Sequence, residues 1–581
     1  MTRESKSRVL VLDADLVPCL TIARSLASRD CIVDIASHTI RPLSRYSNAV
    51  TAVFQYPDPL AAPEAFVDWL LEHVRTTHYD LVIPVTERTL VVLSDRRERV
   101  THIKIAMPSA PSLEVVLDKA QTLALADRIG VPRPQGIVLE SLDQLDDLKK
   151  SLKFPVVLKP ARSIGSAAGG ASQLQVGYAF DVGELEAGCA HALRFGPVLL
   201  QEFFSGVGVG VELIARCGKI GYAFQHRRLH EVPLTGGGSS LRKSEPVMPQ
   251  LLEASERLIA ALDWTGVAMV EFKLDPVTLE FCLMEINGRF WGSLPLAVAA
   301  GADFPAMLMD LELADEIKPC PPYRNNVYCR FLSRDLGWYE AVLLGGTDSR
   351  IATIPGGWEV FKGLGLFLTP GHRFDVQSVR DPLPGLADVS RLIKSYYQRL
   401  SALSTEMLFF ARQRRAWKRG RVSSLISQAQ SMLFLCYGNI NRSALADVMV
   451  KAYAEDSGIT VTSAGFHQES NRPSDAVMVE VAGQRGVDMS AMRSTTVTQE
   501  MLRDNDIIFV MEKSHYDRLL KVDAGIIEKV YLLGAYPNSA VWPVEISDPY
   551  GRARSSYIEC YDRIDEAVDS IKAIIAERST D

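Results

Sequence analysis

The stretch SMLFLCYGNINRS, residues 431–443, sets both the fold and the chemistry of the last quarter of this chain. Its first five residues form a short apolar run that ends at a Gly/Asn-rich turn, the signature of a buried strand. Leu445, Val448, Met449, Ala452 and Tyr453 then recur at helical spacing, so a helix begins near Ser443. In a strand–loop–helix unit of this kind the loop N–H groups and the helix N-terminus converge on one point, which is an anion site. The same field favours the thiolate form of a cysteine, so Cys436 reads as a nucleophile. Arg442 offers a planar fork for two phosphoryl oxygens, which a lysine cannot match. Gly438 is expected to permit the tight loop, Asn439 to brace it by hydrogen bonds, and Ser443 to donate to the thiolate as it leaves.

A departing alkoxide or phenoxide needs a proton donor. Asp548, in ISDPYGRA (546–553), is the candidate. Pro549 restricts it to an extended conformation, and Tyr550 is placed to wall the pocket. The loop explains only residues from about 431 onward, so the rest of the chain has another task.

At about 150 residues per domain, 581 residues suggest roughly three to five folding units. The composition, 47% hydrophobic and 23% charged, is ordinary for a globular protein. A net charge of −7 lacks the broad basic excess of a nucleic-acid binder. Nine cysteines are scattered without a CxxC pair, which argues against a zinc site or a disulfide framework and suits a reducing, cytoplasmic setting. The apolar run before Asp13 is too short for a signal peptide. No stretch approaches the ~20 apolar residues of a membrane helix.

Upstream, strands and helices alternate. RVLVLDAD (8–15), CIVDIAS (31–37) and LVIPV (81–85) read as strands, with helices at 20–28 and 65–77 between them, which implies a parallel α/β sheet. No GxGxxG follows the first strand. Residues 113–130 read as a helix, PVVLKP (155–160) and PVLLQEFF (197–204) as strands, 265–290 as a hairpin and 291–315 as helical. Residues 320–375 mix short strands with Gly and Pro. Residues 387–430 read as helical and end in a basic stretch, with six Lys or Arg between Arg412 and Arg421.

The C-terminal unit resembles the low-molecular-weight protein tyrosine phosphatases over about 431–578. The matching pieces are CYGNINRS, TSAG (462–465), GVDMS (486–490), DIIFVMEKSH (506–515) and DPY (548–550), in the family's order. The resemblance implies Cys436 as nucleophile, Arg442 as phosphate ligand, Asn439 and Ser443 as loop support and Asp548 as acid, with no cofactor. Asn441 stands where many members have a second cysteine, so no disulfide within the loop would protect Cys436. Ala444 replaces the usual proline, and MRS (492–494) the usual HRS. An arsenate reductase reuses this loop but needs further cysteines, and the unit has only Cys436 and Cys560.

In the N-terminal part the informative stretch is GVAMVEFKLDPVTLEFCLMEINGRFWGS (266–293). A hairpin closing about Thr278 sets Glu271 opposite Glu285, which is destabilising without a cation. Glu285 and Asn287 share a face. Three oxygen ligands without His or Cys suit Mg²⁺ carrying nucleotide phosphates, and Arg289 on that face suits an acyl phosphate or a carboxylate. Lys159 ends a strand before the small-residue segment 161–172, a candidate phosphate cover, and Lys119 in LDKAQT is a second cation. Gln201, Glu202 and Phe204 are candidates for an adenine slot.

Together these resemble the ATP-grasp superfamily over about 8–315, particularly carboxylate–amine ligases related to carbamoyl phosphate synthetase. The resemblance implies ATP and Mg²⁺, with Lys119, Lys159, Gln201, Glu202 and Phe204 at ATP and Glu271, Glu285 and Asn287 at the metal. It places Arg289 and Glu87, beside Thr86, at substrate, and turns residues 224–245 toward substrate and triphosphate. The segment GVGVGVEL (206–213) departs from relatives that carry a ribose-holding acid soon after the first glycine, since the first acid here is Glu212.

The expected architecture is therefore α/β throughout. It has a pre-ATP-grasp domain (1–110), an ATP-grasp α+β domain (111–315), a ligase extension (316–386), a helical basic linker (387–430) and a parallel-sheet phosphatase domain (431–581). The linker reads as a solvated spacer with no continuous apolar stripe, so cutting near Gly420–Ser427 should leave two working halves. Its basic end would otherwise suit weak contact with an anionic membrane surface or a partner. The expected function is twofold: ligation of an unidentified carboxylate and amine through an acyl phosphate, and hydrolysis of a phosphotyrosine protein or a phosphorylated small molecule. Rival readings are a phosphatase with an ATP-sensing module and a scaffold with an inactive ligase.

Overall fold

A computed structural model of the chain describes residues 6–149, 152–160, 164–167, 170–173, 176–345, 350–351, 354–454, 457–537, 539 and 541–578. They form two compact units, Met1–Lys394 and Ser395–Asp581.

The first unit opens with the expected parallel sheet, in the order Ala52–Gln55, Ile32–Ser37, Arg8–Val11, Leu81–Ile83. Val9, Val11, Ile35 and Ile83 are fully buried, which is why these strands read as continuous apolar runs. A four-stranded sheet follows, in the order Gly136–Leu139, Val198–Glu202, Val156–Pro160, Gly177–Ala179. The hairpin Ile164–Ala167/Gly170–Gln173 covers part of the expected phosphate cover, and the rest of 161–172 lies outside the described residues. The stretch 113–130 is two helices, Ala110–Leu117 and Lys119–Arg128. Asp118 breaks them, because its carboxylate caps the second by accepting from Ala120 and Gln121 N–H at 2.9 and 3.1 Å.

The main sheet has seven strands in the order Phe281–Asn287, Gly266–Leu274, Val207–Arg216, Lys219–Val232, Gly238–Glu245, Tyr328–Arg330, His372–Phe374. Val209, Val211 and Leu213 face a core shared with Leu251, Leu258 and Trp264. The alternate residues Gly208, Gly210 and Glu212 face the other way, into the polar site. The last two strands come from 316–386, where the glycine- and proline-containing stretch also forms two helices, Leu332–Leu344 and Gly357–Gly365. Among the described residues no single helix is long and apolar enough to cross a membrane. The apolar pair Leu294–Ala300 and Phe304–Ala314 is bent by 91° and packs into the core.

The second unit is built on a parallel sheet in the order Thr460–Gly465, Ser431–Cys436, Ile507–Val510, Val530–Leu532. It corrects the reading of 387–430 as a solvated spacer. The helix Pro382–Lys418 carries Phe410 and Trp417 into the phosphatase core, and Val422 and Ile426 of the next helix follow. Trp417 stacks on Phe509 with ring centroids 5.8 Å apart and donates from Nε1 to the Leu532 carbonyl at 3.2 Å. Side chains of this size cost ~3–5 kcal/mol each when truncated in a core.

Candidate active sites

Cys436 ends the second strand of the C-terminal sheet and is 2% exposed. Its Sγ accepts from the Asn439 N–H at 3.1 Å and from the Ser443 hydroxyl at 3.0 Å. Asn439 Nδ2 donates to Ser443 Oγ at 2.9 Å, and Asn439 Oδ1 accepts from Thr495 N–H at 2.8 Å. Asn439 and Ser443 therefore stand where loop support was expected. Gly438 does not explain the tight turn. Asn439 takes the left-handed conformation, with φ at 52°, and a Cβ on Gly438 would meet nothing closer than 3.4 Å.

The glycine that the loop needs is Gly465, which the sequence reading passed over inside TSAG. A Cβ there would lie 2.7 Å from the Tyr437 carbonyl oxygen and 2.9 Å from Asn439 N. Strand Thr460–Gly465 thus leaves a gap into which the phosphate loop folds.

Arg442 begins the helix Arg442–Ala454 and is almost fully buried. Its Nη1 donates to Glu512 Oε1 at 2.9 Å and to the Ile546 carbonyl at 3.0 Å, and its Nη2 donates to Asp548 Oδ2 at 2.6 Å. Burial works against the guanidinium charge, but Cys436, Asp548 and Glu512 outweigh it and hold its pKa above the usual value. Its Nε is buried with no hydrogen-bond partner. An unmet buried donor is costly, and a phosphoryl oxygen would satisfy it. Glu512, the N-cap of the helix Lys513–Val522, was not foreseen. Its signal was a carboxylate ending the apolar run IIFV beside the Cys436 strand.

Asp548 is partly exposed beside Arg442, and Tyr550 and Tyr437 are solvent-exposed. Burial pushes the Cys560 thiol up to about 12, so it is not poised as a second nucleophile.

In the first unit the hairpin closes as read. Glu271 pairs with Glu285 across the strands, and Met269 pairs with Asn287. The cation that this carboxylate pair requires is Arg228, absent from the sequence reading, whose guanidinium bridges to Glu271 and donates to Glu231 at 3.2 Å. Gly208 and Gly210 make this possible. A Cβ on Gly208 would lie 2.7 Å from Arg228 Cδ, and one on Gly210 only 2.3 Å from His226 Cε1. The alternating glycines of GVGVG thus let two side chains of the neighbouring strand lie across this one.

Glu285 accepts from Asn287 Nδ2 at 3.2 Å. Burial opposes its charge, yet Lys119, Asn287 and Lys159 together lower its pKa. Glu271 moves the other way, raised by burial and by Glu285 against the pull of Arg228. Lys159 is drawn down to about 8, first by burial and then by Lys119. Two carboxylates, an amide oxygen and two ammonium groups therefore meet on one sheet face, a donor set that fits a hard cation with its phosphates. Among the described residues no three His, Cys, Asp or Glu side chains cluster as a metal site, so any cation here relies on Asn287 and on ligand oxygens.

Glu202 and Phe204 line a cleft of about 600 Å³ with Phe203, Phe281 and Cys282. Gln201 does not join them. It is buried and accepts from Lys159 Nζ at 2.8 Å, because strand alternation turns it inward. Glu212 is buried too, accepting from Ser293 Oγ at 2.6 Å and facing His226 at 2.9 Å. Arg289 and Glu87 pair at 3.1 Å. Thr86 caps the helix Glu87–Asp95, whose start is held by the buried Asp13 carboxylate accepting from Thr86 N–H at 2.8 Å and the Thr89 hydroxyl at 2.7 Å.

Two family models match. Residues 431–580 match "Low molecular weight phosphotyrosine protein phosphatase", and residues 194–331 match "ATP-grasp in the biosynthetic pathway with Ter operon". The C-terminal unit is 31% identical over 137 residues to "Probable low molecular weight protein-tyrosine-phosphatase AmsI" of Erwinia amylovora, covering 24% of this chain and 91% of that protein. It is 29% identical to the low molecular weight protein-tyrosine-phosphatase Etp of Escherichia coli K12, covering 24% of this chain and 88% of that one. Among solved structures, biotin carboxylase from Campylobacter jejuni aligns with 56% of this chain and 74% of its own, at 16% identity and a TM-score of 0.43. Through residues 431–580 the chain belongs to the low molecular weight phosphotyrosine protein phosphatase family, and ahead of them it carries an ATP-grasp domain.

Proposed function

We propose that the chain carries two activities, a cysteine-dependent phosphotyrosine phosphatase and an ATP-dependent ligase. The observation that carries the first is the pair of donors on Cys436 Sγ, at 3.1 and 3.0 Å, beside an Arg442 whose Nε has no partner. Cys436 Sγ attacks phosphorus as the P–O bond to the leaving group breaks, and Asp548 gives that oxygen its proton. Water then breaks the S–P bond, returning a proton to Asp548 and the thiolate to the Asn439 and Ser443 donors. Arg442 must exchange its bond to Asp548 for one to the phosphoryl group, which frees the carboxyl for proton transfer. Exposed Tyr437 and Tyr550 favour an aromatic substrate, so a phosphotyrosyl protein is preferred over a small alkyl phosphate. Faster turnover of alkyl phosphates than of phosphotyrosyl peptides would overturn that preference.

For the ligase, Glu271, Glu285 and Asn287 would hold Mg²⁺, which would neutralise phosphate charge when bound. Lys119 and Lys159 would position phosphates, the cleft at Glu202 and Phe204 would take the adenine, and Arg289 and Glu87 would meet substrate. A carboxylate oxygen takes the γ-phosphoryl group and releases ADP, and an amine then displaces phosphate from the acyl carbon. The meeting of Glu285 and Asn287 with Lys119 and Lys159 supports this reading. Calorimetry of Mg·ATP binding tests it: Glu285→Ala and Asn287→Ala should weaken binding and leave phosphatase turnover unchanged, and unchanged affinity in both would refute the metal site. A reducing, cytoplasmic setting belongs to the same reading, supported by nine free cysteines.

A further inference from the structure

Beside the phosphate loop stands a cation that the phosphatase chemistry above does not use. Phe466 N–H donates to the Cys436 carbonyl at 3.3 Å and His467 N–H to the Tyr437 carbonyl at 2.9 Å, which sets both residues against the nucleophile's own backbone. The Tyr437 and His467 rings meet edge-on with centroids 6.1 Å apart. Arg518, on the second turn of the helix Lys513–Val522, holds its guanidinium 5.2 Å from the Tyr437 ring centroid and 5.6 Å from that of Phe466. Phe466 in turn stacks on the buried His515, with centroids 5.6 Å apart. Burial, then Arg442 and Arg518, push the His515 pKa down to about 3, so this ring is neutral and both arginines bear on it. Arg518 therefore lies at the edge of the pocket that Cys436 and Arg442 form.

Two features separate Arg518 from an ordinary surface arginine. Its planar face rests on two rings, which fixes its position, while its N–H groups point along its edge. The residue is exposed, and among the described residues those N–H groups have no hydrogen bond or ion pair. Nearby charges are committed elsewhere. Asp517 pairs with Lys513 at 2.6 Å, and Arg472 donates to the Gly438 carbonyl at 2.6 Å and the Glu469 carbonyl at 3.3 Å. A guanidinium that is held flat and has its edge free fits a carboxylate, which it can take with two parallel N–H bonds. We propose that Arg518 is a specificity-determining residue of the phosphatase, reading a carboxylate beside the phosphotyrosine, so that the substrates are protein segments in which aspartate or glutamate flanks that residue. This rests on the phosphotyrosine reading given above and adds the sequence context. Arg518 acts on binding of the protein substrate, and the chemical steps stay with Cys436, Arg442 and Asp548.

The test is steady-state hydrolysis, by the full-length chain, of three phosphotyrosyl peptides that differ only in carrying Glu, Gln or Lys on both sides of the phosphotyrosine. The readout is the ratio of kcat/KM for the Glu- and Lys-flanked peptides within one variant, because a loss of folded enzyme lowers both alike. The wild type should favour Glu over Lys roughly 10-fold, mainly through KM, as one attraction is exchanged for one repulsion at an exposed rim. Added salt should shrink that preference. Arg518→Gln should bring the ratio within about threefold, and Arg518→Glu should reverse it. Lys572→Glu makes the same charge change about 27 Å along the helix Arg554–Arg578 from its start and should leave the ratio as in the wild type. Equal turnover of the three peptides by the wild type would overturn the proposal. So would a ratio unmoved in Arg518→Glu, or one moved as far by Lys572→Glu. Hydrolysis of an aryl phosphate but of none of the peptides would instead overturn the phosphotyrosine reading, and this inference with it.

Discussion

Gly465→Ala is the most revealing single change, because it adds one methyl group behind the phosphate loop and alters no catalytic side chain. The added Cβ would sit 2.7 Å from the Tyr437 oxygen, 2.9 Å from Asn439 N and 3.0 Å from the Gly438 carbonyl carbon, all of them backbone of the phosphate loop. An ordinary contact begins near 3.4 Å, so the loop must retreat by about 0.7 Å (3.4 minus 2.7). It cannot do so freely. Gly465 is tied to Thr495 at 2.8 Å and to Val497 at 2.9 Å, and the loop is tied to the same strand end by His467 N–H donating to the Tyr437 carbonyl at 2.9 Å. Overpacking of this kind costs ~1–3 kcal/mol of stability. The larger effect falls on Asn439, whose N–H holds Cys436 Sγ, because a misplacement near 1 Å can cost about 10²-fold in rate. Steady-state hydrolysis of an aryl phosphate should show kcat reduced roughly 10- to 10²-fold with the fold retained in urea titration. Turnover within twofold of wild type would refute the assignment of Gly465 as the gap that seats the loop.

Asp548→Asn should slow hydrolysis of esters with poor leaving groups roughly 10²–10⁴-fold and activated aryl esters much less. Equal losses across leaving groups would make Asp548 structural. Lys159 is charged below about 8 and neutral above it, so Mg·ATP affinity should fall as pH rises through that value. Lys159→Arg should remove the fall, and an unchanged pH profile would contradict the role given to Lys159. A fragment starting at Ser431 lacks Phe410 and Trp417, each worth ~3–5 kcal/mol against a typical domain stability of ~5–15. It should unfold at much lower urea than one starting at Ser395, whereas equal midpoints would restore the spacer reading.

Much of both sites was legible because their chemistry is local. Cys436 to Ser443 is one turn of chain, and the Asp275–Pro276 turn fixes a register that brings Glu271 opposite Glu285. What escaped depends on neighbours distant in sequence. Gly465 matters only because its strand lies beside the Cys436 strand, and Gly208 and Gly210 only because Arg228 and His226 cross them. Gln201 was grouped with Glu202 by adjacency, although a strand sends adjacent side chains to opposite faces. The linker was judged by its basic end. The burial of Phe410 and Trp417 carries more of its physical meaning.

The central claim is that Cys436 takes the phosphoryl group from an ester onto its own sulfur. Rapid acid quench of the full-length Asp548→Asn variant during turnover of an activated aryl phosphate, followed by peptide mass spectrometry, tests it most directly. The account predicts a phosphoryl adduct on Cys436 that is absent, with all turnover, from Cys436→Ser. Hydrolysis that persists in Cys436→Ser, or an adduct on another residue, would contradict it.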